Sequence, residues 1–219
     1  MQYFVVGLGN PTEEYENTRH NTGAMALDVF RTAEHLPEWV FDKKRNALIS
    51  QGAFSSSSKV KGSASAKALA GRRWSVVLLL PQTFMNKSGE SLKGIKDLRF
   101  KIKDKKKEIP NLVVIHDDLD IPFGKYKISF NKSSGGHRGV ESIIRAVKTK
   151  GFVRVRIGIA SSASAVKKSQ EDEAVEKIIL GRFTSDQMAV LKKMFKNIAE
   201  GLEVLITEGK EKAMSQYHM

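Results

Sequence analysis

Short apolar runs rich in β-branched and aromatic residues alternate along this chain with segments of helical period, and that alternation limits the fold more than any other feature. "QYFVVGLG", from Gln2 to Gly9, reads as a buried first strand stopped by Gly9-Asn10-Pro11. From Thr22 the apolar residues Met25, Leu27, Val29 and Phe30, with Ala26 and Ala33, keep helical spacing to about Leu36. "ALISQGAF" (Ala47 to Phe54) and "RWSVVLLLP" (Arg73 to Pro81) read as two strands, joined by a Ser-, Lys- and Gly-rich segment that predicts a flexible insertion at about 55–71. Ser88 is placed to cap a helix running to about Phe100, after which "NLVVIHDDLD" (Asn111 to Asp120) reads as an apolar strand ending in His116 and three aspartates. "KYKISF" alternates, the loop "SSGGHRG" follows, and a helix is expected from about Val140 to Val147. "FVRVRIGIA" alternates again with Arg154 and Arg156 on one side, and Ser185 to about Leu205 reads as a long helix. Interleaving of this kind predicts one α/β domain over residues 1–219, a twisted mixed sheet flanked by helices with at least one antiparallel pair.

A chain of 219 residues with 41% hydrophobic composition can bury one substantial core. It contains no cysteine, which excludes disulfide frameworks, thiolate nucleophiles and cysteine-rich zinc sites and suits a reducing compartment. The start "MQYFVVGLGNP" has no basic leader and its first cation is Arg19, so neither a signal nor a transit peptide is expected. No stretch approaches the roughly 18 apolar residues of a membrane helix, and a cytoplasmic location with no membrane partner is the expectation. The formal net charge of +13 favours a polyanionic partner through counterion release, with nucleic acid and anionic lipid as the two candidates. Its clusters, "DKKRN" and "KGIKDLRFKIKDKKK", are equally the pattern of a solvated helix face and a basic loop.

Polar residues gather at four predicted strand ends or in the turns just beyond them, where open α/β sheets place ligands. These are Asn10 in "GLGNP", His20 and Asn21 in "TRHNTG", Asn86 in "PQTFMNKSG", and Asp117 in "HDDLD". Each alone is an ordinary turn, cap or strand-end residue. Converging, they form a water-activating hydrolase: His20 accepts a proton from water, Asp117 fixes its tautomer, and asparagine amides donate to a developing oxyanion. A general base supplies about 10²–10⁴-fold and one oxyanion donor about 10²–10³-fold, enough for an activated ester and modest for an amide. Other chemistries have weaker support. "GLGNPT" begins like a dinucleotide fingerprint, yet Thr12 stands at its third glycine and Pro11 interrupts the helix start, so a nicotinamide enzyme rests on "GLGN" alone. A metal site from His116, Asp117 and Asp120 meets the difficulty that adjacent strand residues face opposite ways.

The blocks "GLGNPTEEYENTRHNTG", "PQTFMNKSGES", "HDDLDIPFGK" and "GGHRG", in this order, resemble those of bacterial-type peptidyl-tRNA hydrolases, and the similarity extends through "RVRIGI" and the terminal helix. The resemblance implies a single α/β domain that cleaves the ester between peptide and tRNA in peptidyl-tRNA, and it favours a monomer; no cofactor or metal is expected. By matching positions it implies His20 as the catalytic base and Asp117 as its partner. It places Asn10 and Asn86 on the peptide and reacting carbonyl, with Tyr15, Asn21, Phe84, Met85 and His137 around them. Arg156 matches a family position that meets tRNA phosphate; Ser129 stands where the family carries a second cation, so Lys127 or Lys132 would substitute. Family members read G-H-N-G where this chain has Arg138, a longer, permanently charged side chain that cannot accept a hydrogen bond and is counted here among the substrate-binding residues. A catalytically weakened RNA-binding relative, of the intron splicing-factor kind, is the alternative that Arg138 motivates.

Overall fold

The computed structural model describes residues 2–55, 72–95, 101–103, 106–160 and 172–217. Eight strands form one mixed sheet: β1 (Gln2–Gly7), β2 (Val40–Asp42), β3 (Ala47–Ser55), β4 (Arg73–Pro81), β5 (Lys101–Lys103), β6 (Lys106–Pro122), β7 (Tyr126–Phe130) and β8 (Gly151–Ala160). Their spatial order is β2-β3-β4-β1-β6-β8-β7, with β5 paired to β6. β1 runs parallel to β4 and β6, and β6 parallel to β8, while β3 on β4 and β7 on β8 are antiparallel. After β1 the chain passes to the outer edge at β2, builds inward through β3 to β4 beside β1, and then crosses to β6 on the other side of β1. The carboxyl end of β1 is therefore the topological switch point at which open α/β sheets bind ligands.

Alternation along each strand sends side chains to two cores. Val5, Leu78, Val113, Ile115, Val153 and Val155 pack against α1 (Thr22–Ala33) and α4 (Ser185–Glu208). Phe4, Val6, Leu79, Leu112, Val114 and Phe152 pack against α2 (Arg138–Val147) and a 3₁₀ segment, Met85–Leu92. Helices thus cover both faces, as buried parallel strands require. Two shorter helices, α3 (Asp172–Ile179) and α5 (Lys210–Gln216), flank α4 in the chain. A capping box starts α4, with the Thr184 hydroxyl accepting from Gln187 N–H and the Gln187 side chain accepting from Thr184 N–H.

The expected helix from Ser88 does not form. Ser88 and Ser91 hydroxyls donate to the carbonyls of Met85 and Ser88, three residues back, and the segment tightens into the 3₁₀ form before Gly94 takes a left-handed φ of 76°. Residues 96–100, the rest of that expectation, lie outside the described set, as do residues 56–71 of the expected insertion. The terminal helix continues past the expected end to Glu208.

The first turn of α1 lies hard against the ends of β1 and β6. Leu8 N–H donates to Ile115 O and Ala24 N–H to Leu8 O, both at 3.0 Å, and a Cβ at Gly23 would stand 2.2 Å from Ile115 O. Only glycine permits that approach, which sets the preceding turn, with His20, over the strand ends. Gly23→Ala is expected to cost about 3 kcal/mol, the upper end for overpacked interiors, read as a lower urea midpoint at unchanged m-value.

Candidate active site

His20 stands in a 3₁₀ turn, Arg19–Asn21, at the entrance to α1, and Asp117 near the end of β6. Both are buried. His20 Nδ1 lies 3.0 and 3.1 Å from the two Asp117 oxygens, so Nδ1 carries the proton and donates it to the carboxylate. The Nε2 lone pair is left for the groove that His20 lines.

Asp117 has a second imidazole. His137 Nε2 sits 2.9 Å from Asp117 Oδ1, while His137 Nδ1 accepts from Gly139 N–H at 3.1 Å and Val140 N–H at 3.3 Å as the N-cap of α2. Two inward N–H donors leave no room for a proton on Nδ1, so His137 is a neutral Nε2–H donor. Gly135 and Gly136, at φ 63° and 82°, supply the left-handed turns that bring it there. Burial alone would raise the Asp117 carboxyl, but His20 and His137 outweigh it and hold the group well below the usual carboxylate range. His116, fully buried beside them, is pushed well below the ordinary imidazole value, above all by burial and further by the Arg154 cation, and stays neutral. Its ring meets His137 edge-on at 4.8 Å, its Nδ1 lies 2.6 Å from Asp117 O, and its Nε2 has no hydrogen-bond partner among the described residues.

The asparagines divide their work. Asn21 spends its amide on the backbone of Asn10, accepting from Asn10 N–H at 2.8 Å and donating to Asn10 O at 2.9 Å. Asn10 Oδ1 in turn accepts from Met85 N–H at 2.9 Å, which directs its NH₂ donors to the groove. Asn86, beside Met85, is exposed on the same groove. The groove, about 570 Å³, is lined also by Tyr15, by Phe84 at its exposed rim, and by His137 and Arg138. Another wall is formed by Val175, Glu176 and Ile179 of α3 and by Leu180 just past its end. That wall was not singled out in the sequence; its only signal is the amphipathic spacing of "AVEKII".

Of the expected cations, Arg156 Nε donates to Asp118 Oδ2 at 2.7 Å, and Lys127 stands opposite it in the β7–β8 register. Lys127 and Lys132 are exposed. Arg138, at the first position of α2, is exposed as well. His116, Asp117 and Asp120 do not converge as a metal site: His116 Nδ1 is on a backbone carbonyl, and Asp120 faces outward toward Arg156 at 4.0 Å. His20, Asp117 and His137 offer ligand atoms within 4.8 Å of one another, yet those atoms already share the two hydrogen bonds to Asp117.

An imidazole held by a buried carboxylate, beside amide donors at the switch point of an α/β sheet, defines a hydrolytic class of enzyme. The peptidyl-tRNA hydrolase family model matches residues 4–219. The peptidyl-tRNA hydrolase of Thermodesulfovibrio yellowstonii is 36% identical over 98% of this chain and 97% of its own, and that of Geobacter sulfurreducens 36% identical over 98% and 94%. The crystal structure of peptidyl-tRNA hydrolase from Acinetobacter baumannii aligns with a TM-score of 0.74 at 25% identity, covering 98% of this chain and 93% of that one. This chain belongs to the peptidyl-tRNA hydrolase family.

Because the folded carboxyl of Asp117 is depressed, its contribution to stability is present above the unfolded value and is lost as pH falls through the folded one. The stability difference between wild type and Asp117→Asn is expected to hold constant above about pH 5 and to shrink as the pH drops below about 4, read by chemical denaturation.

Proposed function

We propose that this chain hydrolyses the ester joining a peptide carboxyl to the 3′-terminal ribose of tRNA, releasing peptide and free tRNA. The observation that carries the reading is the buried His20–Asp117 pair, opening on an amide-lined groove in a member of this family. With Nδ1–H committed to Asp117, Nε2 of His20 takes a proton from water as the water oxygen attacks the ester carbonyl. Asp117 stabilises the imidazolium so formed. Asn10 and Asn86 donate to the oxyanion, and the imidazolium returns its proton to the departing ribose oxygen as the C–O bond breaks. His137 serves by holding Asp117, and Asn21 by holding Asn10. Tyr15, Phe84 and Met85 form the bed for the peptide. Arg156, Lys127 and Lys132 serve the tRNA backbone, in line with the net charge of +13. No helix of the described residues is long and apolar enough to cross a membrane, and we assign the reaction to the cytoplasm.

Arg138 opens α2, where a cation opposes the helix dipole, and among the described residues no carboxylate pairs with it. Its place on the groove lining fits a contact to tRNA phosphate. Arg138→Asn is expected to flatten the slope of log(kcat/KM) against log[salt] by about one unit; an unchanged slope refutes the contact.

His20→Ala is expected to lower single-turnover peptide release by about 10²–10⁴-fold with binding of peptidyl-tRNA retained. Undiminished turnover in that variant overturns the assignment.

A further inference from the structure

The turn that carries His20 is fastened from both sides. On one side lies the Asn21–Asn10 clamp described above. On the other, the chain between α3 and α4 runs alongside the turn as a short antiparallel zipper. Arg19 N–H donates to Gly181 O at 3.1 Å, Phe183 N–H donates to Asn17 O at 3.0 Å, and Thr18 and Arg182 form a bridge between them. Gly181 N–H is itself bonded to Ile178 O at the end of α3, so the groove wall and the His20 turn are joined through a single residue.

The Arg19 side chain closes this zipper. Its Nη1 donates to Arg182 O at 3.1 Å, its Nη2 to Gln187 Oε1 at 3.4 Å, and its guanidinium carbon lies 5.0 Å over the Phe183 ring. Gln187 Oε1 is also the acceptor of the α4 capping box. All three partners are neutral, and among the described residues no carboxylate pairs with Arg19. Partial burial lowers its pKa, an unfavourable setting for a cation with no opposite charge. A guanidinium in such a place contributes its planar fork, which can hold a carbonyl, an amide and a ring at once. A Cβ at Gly181 would come 2.8 Å from Arg19 Nη1, so the fork is seated against that backbone.

We infer that Arg19 is a positioning residue for the reaction: it locks the turn bearing His20 to the 181–183 segment and the start of α4, setting the imidazole and the α3 wall of the groove in one fixed relation. The inference rests on His20 being the base. Misplacing a reacting group costs rate while leaving remote binding intact, so the effect belongs in kcat.

The test compares wild type, Arg19→Ala, Arg19→Lys, Gln187→Ala and His20→Ala on purified peptidyl-tRNA, with thermal midpoints measured alongside. Arg19→Ala is expected to lower kcat by about 10- to 100-fold with KM within about twofold. Arg19→Lys, which keeps the charge and loses the fork, is expected to rescue little, and Gln187→Ala to show a smaller fall in kcat alone. Gln187→Ala keeps the test open where Arg19→Ala does not fold. A raised KM with a flatter salt slope, restored by lysine, would mark Arg19 as a phosphate contact and overturn the inference. So would a lower midpoint with kcat per folded enzyme unchanged. If His20→Ala is inactive while Arg19→Ala turns over normally, the positioning role alone fails; if His20→Ala is active, the assignment of the base fails with it.

Discussion

Taking the ionised carboxylate of Asp117 out of water costs several kcal/mol unless donors replace the solvent. Here the donors are two imidazoles, His20 at one oxygen pair and His137 at Oδ1. Each histidine gains a fixed tautomer from the shared partner, and each belongs to a different element: the turn before α1 and the N-terminus of α2. A single carboxylate at the end of β6 therefore ties together the two helices that cover opposite faces of the sheet. The turns and glycines around it, Gly23 under α1 and Gly135 and Gly136 before α2, are those that let the two imidazoles reach it.

The consequence for geometry is a division between groups that face the groove and groups that hold them in place. His20 Nε2, the Asn10 donors and Asn86 face the groove, while His137, Asn21 and His116 are committed to the backbone or to Asp117. Preorganisation of this kind is what makes a weak base and neutral donors effective, since no reorientation is needed as charge develops. The zipper through Arg19 extends the same principle to the groove wall.

Much of this architecture was legible in the chain. Strand after strand fell where the apolar runs placed them, because period-two and helical spacing report directly which faces are buried. The helix expected after Ser88 was not legible: serine hydroxyls bonding back to Met85 and Ser88 compete with the α-helical pattern, and propensity alone cannot weigh that competition. At the site, His20, Asp117, Asn10 and Asn86 were readable as parts, and their convergence follows from strand ends meeting at the switch point. The α3 wall and the partners of Arg19 were not readable, since they depend on residues more than 150 positions apart in the chain.

By itself, then, the sequence determined the α/β class, the longer strands and helices of the core and the family, because these follow from local periodicity and from blocks of residues adjacent in the chain. Only the tertiary structure supplied the physical reason why His20, already singled out in the sequence, leaves a ring nitrogen to the groove while His137 serves the backbone. "GGHRG" and "TRHN" each offer an imidazole beside turn residues, and local physical chemistry gives neither ring a hydrogen-bond partner. The distinction arises where His137 Nδ1 meets the N–H groups of Gly139 and Val140 while His20 turns its Nδ1 to Asp117, leaving Nε2 to the groove. A ring nitrogen's role is set by the hydrogen bond its partner nitrogen makes, and that bond exists only once the sheet and the two helix N-termini have come together.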